Sequence, residues 1–223
     1  MKIKISETET ERRERLSTIT KVLFKEYPKP QTALQYTDPF QLLVAVILSA
    51  QCTDARVNMV TPQLFRHFSS PKDFASANRK ELETLIHSTG FYHNKAKNII
   101  GCAQALLDNH NGIVPDSMEE LFQLPGVGRK TANVVLGEVF GKTEGVVVDT
   151  HVARLSNRLG FTVEADAVKI EYDLMKLMPK KHWYRFSHTL ILHGRKICSA
   201  RKPLCAICSI KNHCPSSLEE GTR

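Results

Sequence analysis

Four cysteines near the end of the 223-residue sequence have a spacing that suits a metal centre. They follow the pattern C-x6-C-x2-C-x5-C within 17 residues and comprise Cys198, Cys205, Cys208 and Cys214. Four thiolates that include a C-x-x-C pair can bind tetrahedral zinc or an iron–sulfur cluster, and ligand type alone does not separate the two. The other two cysteines, Cys52 and Cys102, are expected on apolar helices as core thiols.

A glycine-containing turn is the second candidate site. The stretch Leu124–Ala132 reads L-P-G-V-G-R-K-T-A. Gly126 and Gly128 permit positive φ and a tight reversal of the chain. The helix that follows would point its unpaired N–H groups back at the turn, where they attract anions. The pattern therefore favours a turn that grips a phosphate group, and an ordinary tight turn between two helices is the alternative.

The sequence is basic, with a formal net charge of +8 and a pI of about 9.2. The stretch Leu174–Leu218 contains nine lysines and arginines and no acidic residue. This distribution predicts a surface that faces a polyanion, with a solvated basic face as the alternative. Hydrophobic residues make up 42% of the sequence, which is enough for a packed core.

Helices must position these residues, because helical periodicity runs through nearly the whole sequence. The predicted helices start near Leu16 and continue with Phe40–Ala50, Asp54–Phe68 divided at Pro62, Lys80–His87, Lys95–Leu107 and a capped segment from Ser117 to Leu124. The apolar run Val146–Val148 is too short to build a sheet. The sequence therefore predicts an all-α fold.

No membrane or export signal is visible. The first 15 residues are polar and highly charged, unlike a secretory signal. The longest apolar run, Phe40–Ala50, has 11 residues and is too short to cross a bilayer. We therefore expect a cytoplasmic, nucleoid-associated protein without disulfides.

The segment Gly90–Ile100 parallels Gly126–Val135, since each has a glycine turn followed by Lys-x-x-Asn and an apolar helix. Chance is one explanation, and two related helix–turn–helix units on one duplex is the other. The parallel gives Lys95 and Lys130 comparable places in the two units.

Several motifs together resemble the endonuclease III family of DNA glycosylases. The turn at Leu124–Ala132 is similar to that family's helix–hairpin–helix, and the resemblance extends from about Leu16 to Pro215. The other matching stretches, in the same order as in the family, are Leu48–Asp54, Val148–Val152, Leu190–Gly194 and the four C-terminal cysteines.

The resemblance implies a bifunctional DNA glycosylase and AP lyase that excises oxidised pyrimidines and nicks the strand. The family's lysine at the Lys130 position attacks the sugar C1′ atom and forms an imine, whose acidity permits β-elimination. Lys130 would lie in the first turn of a helix, where the helix dipole disfavours a protonated amine. The alternative is a lysine that only contacts phosphate. The turn before Lys95 carries Phe91 and Tyr92 instead of two close glycines, which makes Lys95 the poorer nucleophile.

The resemblance also implies that Asp149 is the catalytic aspartate, which stabilises positive charge at C1′ and assists proton transfers. A simple helix N-cap is the alternative. Gln51 matches the residue that fills the gap left by a flipped base, and Phe91 matches an apolar wedge, with core packing as its alternative. The remaining predicted DNA contacts are Gly126, Gly128, Arg129, Arg201 and Lys202.

The cysteine spacing matches the family's cluster loop and so implies a [4Fe–4S] cluster, whereas His188 and His193 are expected to be structural. The implied architecture has a six-helix barrel with the hairpin (residues 31–141) and a cluster domain (1–30 with 142–223). Its partner would be double-stranded DNA with damaged bases or abasic sites, bound by a monomer. The presence of Lys130 argues against a monofunctional glycosylase, and keeping both Lys130 and Asp149 argues against an inactive DNA-binding module.

Overall fold

The computed structural model describes residues 7–219 and confirms the all-α prediction, because no strand occurs in that range. Short 3-10 turns connect some of the helices. The helices are α1 (Glu9–Glu26), α2 (Pro39–Leu48), α3 (Asp54–His67), α4 (Pro71–Ala75), α5 (Arg79–Ile86), α6 (Tyr92–His110), α7 (Met118–Gln123), α8 (Arg129–Phe140), α9 (Thr150–Arg158), α10 (Ala167–Leu177), α11 (Trp183–Lys196) and α12 (Pro215–Glu219).

The chain divides into two compact units. Thr32–Lys142 form the first, which we call the hairpin unit because it contains the turn at Gly126. Of the described residues, 7–31 and 143–219 form the second, which we call the cysteine unit.

The hairpin unit is built around α2. Asp38 caps this helix by accepting a hydrogen bond from the Gln41 amide at 2.9 Å, and Pro39 suits the first helical position because it has no N–H to pair. Every residue of α2 from Leu42 to Leu48 is buried, and the helix contacts α3, α6 and α8. The hydrophobic effect therefore fixes α2 as the support for the elements that carry the hairpin.

Two local predictions for this unit are wrong. α3 runs unbroken through Pro62, because the buried Val57, Thr61 and Leu64 hold it against the core although proline removes one backbone hydrogen bond. Cys52 lies in the turn between α2 and α3 and is half-buried, since α2 already ends at Leu48. Cys102 is a core thiol on α6, as predicted, and burial raises its pKa to about 12.

The cysteine unit packs α1, α9, α10 and α11 around one apolar core. Extended residues Val146 and Val147 are buried in it, and Asp149 then starts α9. The fully buried members of this core include Ile19, Leu23, Val152, Ile170, Leu174, Phe186 and Leu190. This packing fixes the place of α9, whose first turn follows Asp149.

None of the helices within residues 7–219 combines the length and the apolar character that crossing a membrane would require.

Candidate functional site

The hairpin between α7 and α8 reverses the chain at Gly126, which has φ of +79°. A Cβ atom at Gly126 would lie 2.8 Å from the Cβ of Asn98 on α6, so both the backbone and the space demand glycine there. The amide of Val127 donates to the Leu124 carbonyl at 3.1 Å, and both side chains are buried. The turn is therefore anchored on its inner side and presents its outer side to solvent.

Of the two hairpin glycines, only Gly126 uses the positive φ that glycine permits, and Gly128 does not. Its φ of −96° and ψ of 177° are extended, and it serves as the N-cap of α8. Nothing lies within 4 Å of a Cβ built at Gly128, and no side chain among the described residues caps this helix start. Glycine at this position leaves an open approach to the first amides of α8, where an anion binds favourably.

Lys130 is the second residue of α8 and is exposed, whereas the preceding Arg129 is half-buried. The next residues of the helix, Ala132 and Asn133, are buried. Lys130 is therefore accessible from solvent at the start of α8.

Lys95, its counterpart in the parallel unit, is 4% exposed. Its Nζ atom donates to the carbonyls of Leu48 and Thr89, both at 2.8 Å. Burial lowers the pKa of Lys95. This amine is occupied by backbone carbonyls inside the unit, so the parallel in sequence does not extend to the direction of the lysine side chain.

Gln51 and Phe91 are exposed and lie in the left-handed region, with φ of 54° and 49°. Phe91 is 62% exposed, which rules out core packing as its role. Left-handed backbone at a non-glycine residue is strained and persists where the surrounding structure imposes it. Both predicted DNA-inserting side chains thus project from strained turns of the same unit.

Asp149 is the N-cap of α9. Its Oδ1 atom accepts hydrogen bonds from the amides of His151 and Val152, each at 2.8 Å. The residue is half-buried, and both cap bonds use the same carboxylate oxygen. Burial lowers the pKa of the neighbouring His151, while the Asp149 carboxylate opposes that shift. The geometry satisfies the capping role and fixes the carboxylate rigidly.

The four C-terminal cysteines form no disulfide, and all four line one cavity. Most of the other lining residues are apolar, including Leu155, Leu159, Ile197, Leu204 and Ile210, and the polar ones are Arg158, His193, Lys211 and Ser217. Burial raises the pKa of Cys208 and of Cys214. Among the described residues no three His, Cys, Asp or Glu side chains converge tightly enough to hold a single metal ion.

Two arginines of α9 hold the segment that carries the first of these cysteines. Arg158 donates to the Ser199 carbonyl at 2.7 Å and to the Ala200 carbonyl at 2.8 Å. Arg154 donates to the Cys198 carbonyl at 3.0 Å. Sequence reasoning missed both arginines, although their i, i+4 spacing places them on one face of α9.

His193 was expected to be structural only, yet it contacts a cysteine of the cavity. Its Nε2 atom lies 3.4 Å from the Sγ of Cys208, and its Nδ1 lies 3.2 Å from the hydroxyl of Tyr27. Burial lowers the pKa of His193. The nearby Arg201 and Lys202 are exposed on a loop that Ser199 closes by accepting from the Lys202 amide at 3.3 Å.

The chain is similar to known proteins both in sequence and in fold. Residues 44–180 match the family described as HhH-GPD superfamily base excision DNA repair protein. Endonuclease III of Synechocystis sp. is 53% identical over 206 residues, which cover 92% of this chain and 94% of that protein. Endonuclease III of Escherichia coli K12 is 42% identical over 200 residues, covering 90% and 94%.

Among solved structures, a non-covalent endonuclease III–DNA complex superposes with a TM-score of 0.88 at 41% identity, covering 95% of this chain and 99% of that one. A trapped covalent endonuclease III–DNA intermediate gives the same TM-score of 0.88 at 42% identity, with the same coverage of 95% and 99%. A thermostable thymine-DNA glycosylase shares the fold, with a TM-score of 0.81 at 21% identity over 92% of this chain and 98% of that one.

Proposed function

The chain belongs to the HhH-GPD superfamily and, within it, to the endonuclease III family, and we propose that it excises oxidised pyrimidines from DNA and nicks the strand through Lys130. It is a base excision repair enzyme that acts as a bifunctional DNA glycosylase and AP lyase. The observation that carries the role of Lys130 is its exposed position at the start of α8, next to the open space at Gly128.

The proposed reaction begins when the neutral amine of Lys130 attacks C1′ of the damaged nucleotide. The C1′–N bond to the base breaks, and the base leaves with its electron pair and takes up a proton. The resulting amino sugar opens to an imine, and loss of a C2′ proton then expels the 3′-phosphate by β-elimination. Hydrolysis of the imine returns the amine of Lys130 and leaves an unsaturated aldehyde on the nicked strand.

Asp149 has the proposed role of an anion near C1′. A carboxylate stabilises the positive charge that develops on the sugar as the base departs, and it can accept the proton that the amine loses. The two cap bonds through Oδ1 support this role, because they hold the carboxylate in one orientation.

DNA binding is proposed to use separate parts of the chain. The amides at Gly126, Gly128 and Arg129 bind a phosphate, which positions the strand without reading its bases. Gln51 and Phe91 enter the duplex where the damaged base has been flipped out. Arg201 and Lys202 contact the DNA backbone from the exposed loop beside the cysteines.

The four cysteines are proposed to hold a [4Fe–4S] cluster. The donor set fits, since four cysteines that form no disulfide line a single, largely apolar cavity, and thiolates suit a soft iron–sulfur centre. The cluster would organise the loop of Arg201 and Lys202. Zinc is the competing occupant, and metal analysis of the purified protein separates the two.

In the proposed architecture, residues 31–141 form a six-helix barrel, and residues 1–30 with 142–223 form a cluster domain. We further propose that the protein works as a monomer on double-stranded DNA and is located in the cytoplasm at the nucleoid. Sedimentation of the protein with and without a duplex tests the monomer.

The decisive experiment is a panel of duplexes that each carry one oxidised pyrimidine, one other lesion or an abasic site. The enzyme should nick the oxidised-pyrimidine and abasic duplexes and form a borohydride-trapped covalent adduct. Lys130→Gln should abolish the adduct and nearly all nicking while damaged DNA still binds, whereas Lys72→Gln, an exposed lysine of α4, should change neither. Undiminished adduct formation by Lys130→Gln would place the nucleophile elsewhere.

A further inference from the structure

Lys95 has a charged side chain that the proposed chemistry does not use, although it is buried at considerable free-energy cost. A buried ammonium group persists only where hydrogen bonds compensate its lost hydration. Here the partners are two backbone carbonyls, those of Leu48 and Thr89, each 2.8 Å from Nζ. Burial lowers the pKa of the amine. Hydrophobic packing alone would therefore not favour a lysine at this position.

The first partner lies at the end of α2. Leu48 is the last residue of that helix, and its carbonyl belongs to the group that an α-helix leaves without intrahelical donors. Gln51 follows three residues later in the turn closed by the Cys52 amide, which donates to the Ser49 carbonyl at 3.1 Å. Lys95 thus holds the carbonyl of Leu48, the residue after which the chain enters the Gln51 turn.

The second partner lies directly before the Phe91 turn. Thr89 precedes Gly90, whose φ is +72°, and Phe91 follows with φ of 49°. On the other side of this turn, the backbone amide of Lys95 donates to the Phe91 carbonyl at 3.1 Å. One residue therefore holds the Phe91 turn at both flanks, through its side chain and its own backbone.

Gln51 and Phe91 share an unusual backbone state. In the part of the chain that the structure describes, the non-glycine residues with positive φ are Gln51, Phe91 and Asn111, and Asn111 is the ordinary left-handed end of α6. A left-handed glutamine and a left-handed phenylalanine require the surrounding structure to impose their conformations. The ammonium group of Lys95 is bonded to the segments that lead into both turns.

We propose that Lys95 is a positioning residue that ties the Gln51 turn to the Phe91 turn, so that both side chains enter the duplex together when the damaged base leaves the stack. The proposal rests on the proposed function, in which these two side chains fill the vacated space. It assigns Lys95 no contact with DNA and no part in the chemistry at C1′. Its effect is therefore confined to substrates in which a base must be extruded from a duplex.

The test compares two steps in one variant. Lys95→Met removes the donors while keeping the length of the side chain, and it should slow base release from a lesion in duplex DNA by about 10-fold or more, the effect of losing ~1.4 kcal/mol of stabilisation. Nicking of a pre-formed abasic site should fall by less than about 2-fold, since no base has to be extruded. A 2-aminopurine reporter beside the lesion should show less unstacking at saturating enzyme.

Ile99→Val is the matched control, because Ile99 is wholly buried on the same helix and its truncation keeps both hydrogen bonds of the Lys95 amine. Both variants are assayed well below their unfolding midpoints. A second measurement uses the background Gln51→Ala with Phe91→Ala, in which Lys95→Met should slow base release no further because nothing remains to position. Should Lys95→Met not fold, Lys95→Gln, which keeps a shorter donor, is measured in its place with the same expected direction.

Equal losses on duplex lesions and on abasic sites, or an undiminished effect in the doubly substituted background, would overturn the positioning role. An inactive parent enzyme would instead contradict the proposed function. The two failures are distinguishable because the parent enzyme is measured on both substrates first.

Discussion

The Nη1 atom of Arg158 donates a hydrogen bond to the Sγ atom of Cys198 at 3.2 Å. Arg158 is the last residue of α9, the helix that begins after Asp149. The same guanidinium group also binds the two carbonyls that follow Cys198. Helix α9 therefore has Asp149 at its start and is hydrogen-bonded at its end to the segment that begins with Cys198.

Removing this guanidinium group should weaken retention of the metal centre. Hydrogen bonds to a thiolate sulfur stabilise its charge, and those to the backbone fix the loop. We expect Arg158→Gln to be purified with less iron and to lose its visible absorption faster in air than the parent. Arg13→Gln, an exposed arginine of α1 in the same unit, should behave like the parent. Iron analysis and absorption spectra check this, and a colourless parent protein with stoichiometric zinc would contradict the cluster itself.

The two glycines of the hairpin should respond differently to alanine. Gly126→Ala should lower the free energy of unfolding by about 2 kcal/mol, because the new Cβ meets Asn98 at 2.8 Å and an L-residue is strained at φ of +79°. Gly128→Ala should cost less than about 1 kcal/mol, the scale of a cap change. It should nevertheless weaken binding to undamaged duplex about 10-fold, since the methyl group occupies the open approach to α8. Urea unfolding and binding titrations at fixed salt measure both, and normal binding by Gly128→Ala would exclude a phosphate there.

Asp149→Asn should separate catalysis from capping. Asparagine keeps an oxygen that accepts the two amide bonds, so stability should change by only ~1 kcal/mol. Loss of the charge should slow base release about 100-fold, which corresponds to about 2.7 kcal/mol of barrier, and should slow nicking of an abasic site less.

Asp166→Asn is the matched control, because Asp166 caps α10 in the same way, by accepting from Val168 and Lys169 amides at 3.0 Å. Single-turnover rates and thermal unfolding of both variants are compared. If Asp149→Asn released the base at the rate of the control, Asp149 would act only as a helix cap.

The exposed loop of Arg201 and Lys202 should contribute to salt-dependent DNA binding. Replacing both with alanine should reduce the slope of log K against log salt by up to ~2, about one unit for each lost phosphate contact. Lys72→Ala combined with Lys80→Ala removes the same charge from exposed positions on α4 and α5 and should leave the slope unchanged. Equal slopes for both double variants would show that the loop of Arg201 and Lys202 does not contact DNA.

The sequence by itself determined the helical class, the hairpin and the cysteine set, because each depends on local spacing. Glycine at position 126 follows from a turn that only glycine can adopt without strain. The four cysteines are close along the chain, so a shared cavity requires only a short loop. In contrast, His193 contacts Cys208, 15 positions away, and Tyr27, 166 positions away, and no local pattern marks either contact.

Tertiary structure alone decided which of the two similar lysines is buried. Both follow a glycine turn and begin a Lys-x-x-Asn stretch, yet α6 has its N-cap at Phe91 and α8 at Gly128. Lys95 is thus four residues past its cap and Lys130 two. With about 100° of rotation per residue, this offset turns the two side chains roughly 200° apart relative to the helix start. Where each helix begins depends on the packing of its turn. As a result, Lys95 is buried in the core and Lys130 is exposed to solvent.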